Sequence, residues 1–231
     1  MEDWSERFPE LIRIVTLAPE TPGALDCIEW LDAHGIVASC GHTDASYEDI
    51  ELAVSRGLKH AVHTFNAMTG LHHRKPGTAG AVLTDDRISA EVIADGHHVH
   101  FAAIKLLARM KPADRMLLIT DAMSAAGLGD GEYDLGGLAV AVKDGVARLQ
   151  QGGALAGSTL TMIDAFRFVV RQVGLSVEEA SLMASGNPAR LIGLGGSTGS
   201  LEAGKQADVL LLSEDLELQH VWVKGKRLQW D

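Results

Sequence analysis

The chain is poor in cysteine and in long apolar runs, and each scarcity excludes a class of protein. Cys27 and Cys40 are the two cysteines among 231 residues, too few for a disulfide framework or a cysteine-based zinc site, so we expect free thiols. No apolar run reaches the roughly 18 residues that a membrane helix needs. Residues 1–9 lack the basic start and apolar stretch of a signal peptide. These absences predict a cytoplasmic protein with no membrane partner.

Basic residues are also in deficit. The chain has 20 Lys and Arg against 31 Asp and Glu, a formal net charge of −11, which argues against general affinity for nucleic acid or anionic membranes. One basic cluster, residues 72–75, combines two histidines with Arg74 and Lys75. Composition alone favours a solvated loop, whereas its position just after a strand-like segment favours a site for a small anionic ligand.

What the chain does have is a series of apolar, strand-like segments, each closed by a polar residue. In chain order these residues are Glu20, His42, His63, His98 and Asp121, at intervals of 22, 21, 35 and 23 residues. Such intervals are close to the length of one strand–helix unit. Repeats of that unit build a parallel sheet whose strands all have their carboxyl ends at one edge. The pattern predicts five parallel strands with the polar residues gathered at their carboxyl ends.

Helical and hairpin patterns fill the remaining segments. The predicted helices cover residues 24–34, 46–56, 101–110, 159–173 and 176–185. Ser46 and Asp49 are spaced as a capping box, as are the residues of S-V-E-E, and N-P-A-R opens a further helical turn. The K-D-G sequence predicts a hairpin, and the apolar segments A-D-V-L-L-L and H-V-W-V-K-G-K-R-L predict strands near the C terminus.

These elements predict an α/β fold whose five strands are too few to close a barrel. An eight-stranded barrel typically takes about 250 residues. Either the fold is another α/β arrangement, or the chain holds the last five strands of a (β/α)8 barrel. The second interpretation divides the chain into an incomplete barrel, residues 1–200 with a short β insertion near 130–150, and a β segment of a small β-sandwich appendage, residues 201–231.

The strand-end histidines are the strongest metal-ligand candidates. His42 and His63 close consecutive strands, so their imidazoles are expected within a few ångströms of a common point. A lone histidine is more often structural, but two on adjacent strand ends favour a divalent cation, one per subunit. Imidazole suits Zn²⁺, Fe²⁺, Mn²⁺ and Co²⁺ alike. A catalytic zinc-type site uses three protein ligands, and only two are evident here. His60, His97 and His100 are each out of phase with a strand end or lie just beyond it.

Asp121 and His98 close later strands and are candidates for proton transfer and charge stabilisation. A carboxylate at Asp121 can be a metal ligand, a general base or an N-cap, and beside a metal-activated water the base role is attractive. His98 can polarise a carbonyl or stabilise an oxyanion, although a surface loop histidine is the ordinary alternative.

Two further segments can contact a ligand. Asn66, Ala67 and Arg74 follow His63 closely and offer an amide, backbone N–H groups and a guanidinium to a phosphate. The segment L-A-G-S-T, from residue 155 to 159, enters a predicted helix and offers donors to an anion or a sugar hydroxyl. The glycine-rich stretch at residues 127–131 lacks nucleotide-loop spacing and predicts a turn.

At these residues the chain resembles the N-acetylglucosamine-6-phosphate deacetylases of the amidohydrolase superfamily. The matching segments are V-T-L-A-P-E, G-H-T-D-A, H-T-F-N-A-M, R-K-P-G, I-A-D-G-H-H-V, T-D-A, L-A-G-S-T-L-T-M and G-x-L-E-A-G-K-Q-A-D. They occur in the family's order and spacing from about Ile12 to Leu228. Together they are highly specific.

The resemblance implies a role for each candidate. His42 and His63 would hold the metal and Asp121 would be the catalytic acid/base. His98 would contact the substrate near its acetamido group. The implied sugar-phosphate contacts are Asn66, Ala67 and Arg74, and the implied pocket lining is Leu155, Ala156 and Gly157. The substrate would be a phosphorylated amino sugar, and a homodimer is expected, with Arg74 acting across its interface.

The chain departs from the family pattern in one respect. Family members carry an upstream region with the first barrel strands, a His-x-His strand, a substrate-binding histidine and an H-L-E-G-P-like segment whose glutamate is the third metal ligand. None of these features is found in this sequence. Glu20 belongs to a different segment, L-A-P-E, and is not taken as the third ligand. Deacetylation of N-acetylglucosamine 6-phosphate is therefore the expected activity, and the alternatives are an inactive remnant or a related amidohydrolase acting on another N-acyl sugar or a cyclic amide.

Overall fold

A parallel sheet of five strands runs through the first half of the chain. The computed structural model describes residues 2–229. The strands are β1 (Ile14–Leu17), β2 (Val37–Cys40), β3 (Leu58–Ala61), β4 (Ser89–Ile93) and β5 (Met116–Ile119). Their order in the sheet is their order in the chain, and every neighbouring pair is parallel. All five carboxyl ends therefore lie at one edge, as the sequence predicted.

Helices connect these strands and continue beyond them. They are α1 (Glu2–Arg7), α2 (Ala24–Ala33), α3 (Tyr47–Ser55), α4 (Gly77–Thr84), α5 (Phe101–Met110), α6 (Met162–Phe168), α7 (Val177–Ser181) and α8 (Asn187–Leu191). A 3₁₀ turn (Ala113–Arg115) precedes β5, and π-helical turns extend α6 (Val169–Val173) and α7 (Leu182–Gly186). The α/β class and the helices α2, α3 and α5 are confirmed.

The core lies between the sheet and these helices. Ile28 and Leu31 of α2, Ile50 of α3 and Ile104 of α5 are fully buried in one apolar cluster with Cys40 of β2. Both cysteines are free, as expected. Burial raises the pKa of the Cys40 thiol to about 12, so this cysteine acts as a small core residue and not as a nucleophile.

Three details of the helices were not predicted. The sequence gives no signal for α1, and α4 was missed because it contains two glycines and is buried along nearly its whole length, which hides any one-sided apolar pattern. The helix expected from residue 159 begins at Met162, with Thr161 as its N-cap. Thr159 lies outside it, and its hydroxyl donates to the carbonyl of Gly145.

The capping box of α3 gives a direct test of a local prediction. The Ser46 hydroxyl accepts the N–H of Asp49 at 3.1 Å, and the Asp49 carboxylate accepts the N–H of Ser46 at 2.8 Å. We expect Ser46→Ala to lower the free energy of unfolding by about 1 kcal/mol, measured by urea denaturation. Ser55→Ala, on the last turn of the same helix, is the control. Equal losses in both variants would contradict a capping role.

Two small antiparallel sheets follow β5. The first comprises β6 (Gly131–Leu135), β7 (Leu138–Lys143) and β8 (Val146–Leu149), and the predicted K-D-G hairpin is the β7–β8 turn. The second comprises β9 (Val209–Leu212), β10 (Leu218–Val223) and β11 (Lys226–Arg227), in the order β11-β10-β9. Strand β6 was not predicted, because only the turn before it was recognised. Within residues 2–229, no helix has the length and apolar character to cross a membrane.

Candidate metal and substrate site

The carboxyl edge of the parallel sheet holds an unusual concentration of strained backbone. Nine non-glycine residues in the described part of the chain have a positive φ, and five of them follow β2, β3 or β5 at this edge. These five are His42 (48°), His63 (31°), Phe65 (79°), Ala67 (46°) and Asp121 (51°). Left-handed backbone costs energy in residues other than glycine and collects at functional sites. Four of the predicted site residues, His42, His63, Ala67 and Asp121, are among these five.

The structure brings the two predicted metal-ligand histidines together. Nε2 of His42 lies 3.0 Å from Nε2 of His63, and the ring planes are nearly perpendicular, at 86°. His63 is buried and His42 is exposed. Two nitrogens each bound to one Zn²⁺ at about 2.1 Å lie roughly 3 to 3.4 Å apart, so the observed separation fits a shared ion. It also fits a direct hydrogen bond between the two rings.

The ligand set of this pair is incomplete within residues 2–229. No group of three or more histidine, cysteine, aspartate or glutamate side chains is placed to hold a metal ion in this part of the chain. Nδ1 of His63 is buried there without a hydrogen-bond partner, whereas metal-binding imidazoles normally donate that N–H. The described residues therefore fit a divalent cation as two ligands, and they supply neither a third ligand nor the outer partner of His63.

The other histidines near the strand ends have structural contacts. His60 is fully buried, and its Nε2 lies 2.8 Å from the Glu91 carboxylate of β4. Nδ1 of His100 accepts the N–H of Ala102 at the start of α5, and His97 is exposed. None of these contacts involves His42 or His63, and the exclusion of the three histidines from the metal site stays a prediction.

Glu20 is also engaged elsewhere. Its carboxylate accepts the Thr43 hydroxyl at 2.5 Å and the N–H of Asp44 at 2.8 Å. The N–H of Thr43 in turn donates to the carbonyl of Ala67 at 3.0 Å. Glu20 thus fixes the loop that follows His42, and this loop is joined to the one that follows His63. No short-range pattern in the sequence could have indicated these contacts.

Asp121 is held against the segment that contains Gly157. Its carbonyl accepts the N–H of Ser158 at 2.8 Å, and the Ser158 hydroxyl donates to the carbonyl of Thr120. Gly157 has a φ of 62°, and a Cβ there would lie 3.1 Å from the Asp121 carbonyl oxygen, so this approach requires glycine. The Asp121 side chain remains exposed at the sheet edge.

His98 lies in the wall of a cavity of about 280 Å³ beside this segment. The cavity is bounded by the β4–α5 loop, the β7–β8 turn and the start of α6, and Gly157 and Ser158 also line it. Nδ1 of His98 lies 2.6 Å from the Asp95 carboxylate, and both side chains are nearly buried, at 6% and 11% exposure. Asp95 was not among the predicted site residues. An Asp-Gly turn whose carboxylate accepts the following N–H groups is the signal that could have indicated it.

The remaining predicted ligand contacts are more dispersed. The Asn66 amide donates to the carbonyl of His63 at 3.2 Å, so it stabilises the turn that carries this histidine. Arg74 lies in an exposed turn and its guanidinium contacts His73 at 2.6 Å. Within residues 2–229, no hydrogen bond joins Arg74 to Asn66 or to the histidine pair. Leu155 is half-buried and Ala156 is buried; the N–H of Ala156 donates to the carbonyl of Ala147 at 3.2 Å.

The hydrogen bonds of Asp95 predict a pH dependence of stability. Burial alone would raise the pKa of Asp95, but hydrogen bonds from the His98 ring and from the N–H groups of His98 and His97 outweigh it and hold the pKa below its usual range. A depressed carboxyl pKa stabilises the fold above the unfolded-state value, about 3.9, and this contribution is lost as pH falls through the folded-state value. In urea denaturation from pH 7 to pH 3, we expect Asp95→Asn to lose less stability than the unmodified chain. A parallel loss in both would contradict this.

Comparison with known proteins identifies the family. A model of the amidohydrolase family matches residues 31–228 of the chain. The chain belongs to the amidohydrolase family. It has the α/β amidohydrolase fold, because the structure superimposes on that of an N-acetyl-D-glucosamine-6-phosphate deacetylase variant from Mycobacterium smegmatis, in complex with N-acetyl-D-glucosamine-6-phosphate, with a TM-score of 0.93 and 38% identity. That match covers 98% of this chain and 60% of the other.

Two named relatives are similar to the chain in sequence. The N-acetylglucosamine-6-phosphate deacetylase of Vibrio furnissii is 47% identical over 226 residues, which cover 98% of this chain and 56% of the relative. The N-acetylgalactosamine-6-phosphate deacetylase of Escherichia coli O157:H7 is 46% identical over 215 residues, which cover 93% of this chain and 56% of the relative. The chain therefore spans little more than half the length of these relatives.

Proposed function

We propose that the chain carries part of a metal-dependent site that deacetylates N-acetylglucosamine 6-phosphate to glucosamine 6-phosphate and acetate. The observation that carries the proposal is the 3.0 Å approach of His42 and His63 at the edge that also bears Asp121. The names of the Vibrio and Mycobacterium proteins support the substrate. The Escherichia relative makes N-acetylgalactosamine 6-phosphate the second candidate.

In this proposal the two imidazoles would hold one divalent cation, which would supply Lewis-acid activation of water and of the acetamide carbonyl. Asp121 takes the proton that the attacking water loses and returns it to the departing amine, so the reaction consumes one water and releases acetate. His98 contacts the sugar near its acetamido group. The segment from Leu155 to Gly157 lines the pocket. The identity of the metal stays open among Zn²⁺, Fe²⁺, Mn²⁺ and Co²⁺.

Arg74 binds the phosphate in this proposal, together with Asn66 and Ala67. Its guanidinium is exposed and suited to a bidentate contact with phosphate oxygens. Action of Arg74 across a homodimer interface and a cytoplasmic location are part of the same proposal.

We expect Arg74→Ala to raise KM for the phosphorylated sugar at least about tenfold, because the substitution removes one charge-assisted contact with the phosphate. Arg109→Ala, an exposed cation on α5, is the control, and an unchanged KM in Arg74→Ala would contradict the phosphate contact.

We further propose that residues 1–200 are part of a (β/α)8 barrel and residues 201–231 part of a small β domain. Five parallel strands in chain order support the barrel. The sheet of β9, β10 and β11 supports the second unit, because Leu210 and Val223 are exposed on one of its faces, as expected of a sheet that packs against a further layer.

The test is the metal content and deacetylase activity of the purified chain. We expect bound divalent metal and release of acetate from N-acetylglucosamine 6-phosphate, with less from N-acetylglucosamine. Faster release from N-acetylgalactosamine 6-phosphate would favour the second candidate. Absence of both metal and turnover would contradict the proposal for this chain and favour the inactive alternative.

A further inference from the structure

The β4–α5 loop binds the Asp95 carboxylate through both of its oxygens. Oδ1 accepts the N–H groups of His97 and His98, each at 2.8 Å, and Oδ2 lies 2.6 Å from Nδ1 of His98. Three hydrogen bonds from one short loop hold this nearly buried carboxylate in a single orientation. The position of the His98 ring is therefore set by the turn that precedes it.

These contacts determine which nitrogen of His98 carries the proton. Hydrogen bonds outweigh burial and keep the pKa of Asp95 below its usual range, so the carboxylate is deprotonated at neutral pH. A deprotonated carboxylate only accepts hydrogen bonds, which requires a proton on Nδ1 of His98. In the neutral imidazole Nε2 is then unprotonated, and it makes no hydrogen bond within residues 2–229.

We infer that Asp95 is a positioning residue that fixes His98 as the Nδ1–H tautomer, so that Nε2 accepts a hydrogen bond from an N–H or O–H group of the ligand. The inference rests on the proposed function, since it specifies how His98 contacts the N-acyl sugar. It also limits the ligand groups that His98 can bind. A neutral ring in this tautomer accepts from the acetamido N–H or from a sugar hydroxyl, and it does not donate to the acetamide carbonyl.

Replacement of Asp95 by asparagine tests this inference. Oδ1 of the new amide is needed by the two backbone N–H groups, so the amide nitrogen faces Nδ1 of His98 and donates to it. We expect the ring to switch to the Nε2–H tautomer, as a carboxylate-to-amide change beside a histidine does in other sites. Asp114→Asn is the matched control, because Asp114 is exposed on the 3₁₀ turn before β5 and does not line the cavity that contains His98.

Long-range ¹H–¹⁵N correlation spectra of the histidine-labelled chain at pH 7.5 report the tautomer, and His98→Gln identifies the signal. Affinity for N-acetylglucosamine 6-phosphate is measured by calorimetry on the same samples. We expect Nδ1–H in the unmodified chain and in Asp114→Asn, Nε2–H in Asp95→Asn, and a Kd at least about tenfold higher in Asp95→Asn alone.

The outcomes separate this inference from the proposed function. An Nε2–H or doubly protonated His98 in the unmodified chain overturns the inference without reference to any variant. A ring that stays Nδ1–H in Asp95→Asn, or a switched ring with unchanged affinity, overturns it as well. If the tautomer switches as expected while the unmodified chain binds no sugar phosphate, the role of Asp95 in fixing His98 is supported and the proposed substrate is contradicted.

Discussion

Replacement of His63 by alanine is expected to lower the affinity of the chain for Zn²⁺ or Co²⁺ at least about a hundredfold. Loss of an outer partner of a metal ligand already costs about 10- to 100-fold, and His63 is one of the two imidazoles whose Nε2 atoms lie 3.0 Å apart. The measurement is a Co²⁺ titration followed by visible absorption, with metal analysis of the dialysed protein.

Two further variants make this result specific. His42→Ala should cause a similar loss, and because His42 is exposed this substitution should disturb the fold less than one at the buried His63. His97→Ala removes an exposed histidine near the same edge and should leave metal affinity unchanged. Equal affinity in His63→Ala and the unmodified chain would mean that the ion is bound elsewhere.

Replacement of Asp121 by asparagine is expected to lower kcat for deacetylation by about 10²- to 10⁴-fold, with little change in KM. Asparagine keeps the size of the side chain and tolerates the left-handed backbone of this position, at a φ of 51°, but it cannot take a proton from water. Initial rates of acetate release across a range of substrate concentrations give both constants.

The control for Asp121→Asn is Asp44→Asn, which removes one negative charge from the loop that follows His42. The Asp44 side chain is exposed, and its backbone N–H still reaches Glu20 in the variant. We expect its kcat to stay close to that of the unmodified chain. Comparable rates in Asp121→Asn and the unmodified chain would assign proton transfer to another group.

Features of the fold that depend on neighbouring residues were predictable from the sequence. The capping boxes at Ser46 and Ser176 each join residues three apart, so four consecutive residues of the sequence are enough to predict each one. The β7–β8 turn follows from K-D-G in the same way. The helix α4 was not predictable, because its burial depends on packing against α3 and α5 and its own sequence has no apolar stripe.

The same distinction applies to the site. The approach of His42 and His63 could be predicted because parallel neighbouring strands bring their ends together whatever their side chains are. The Glu20–Thr43 contact joins residues 23 apart through loop conformations, which no pattern specifies. The roles of Asn66, Arg74 and Leu155 rest on resemblance and stay predictions. The contact of Asp95 with His98 spans three residues, so the D-G turn of the sequence was sufficient to predict it, although Asp95 was not among the predicted site residues.

The buried pair of His60 and Glu91 constrains how this sequence can diverge. The His60 ring is fully enclosed, with one nitrogen on the Glu91 carboxylate, and its register neighbour Ser39 is buried with an unpartnered hydroxyl. Removing either member alone leaves an uncompensated polar group inside the sheet, whereas replacing both by apolar residues of similar volume removes the penalty. We therefore expect positions 60 and 91 to be epistatic, so that among related sequences they are inherited or exchanged as a unit.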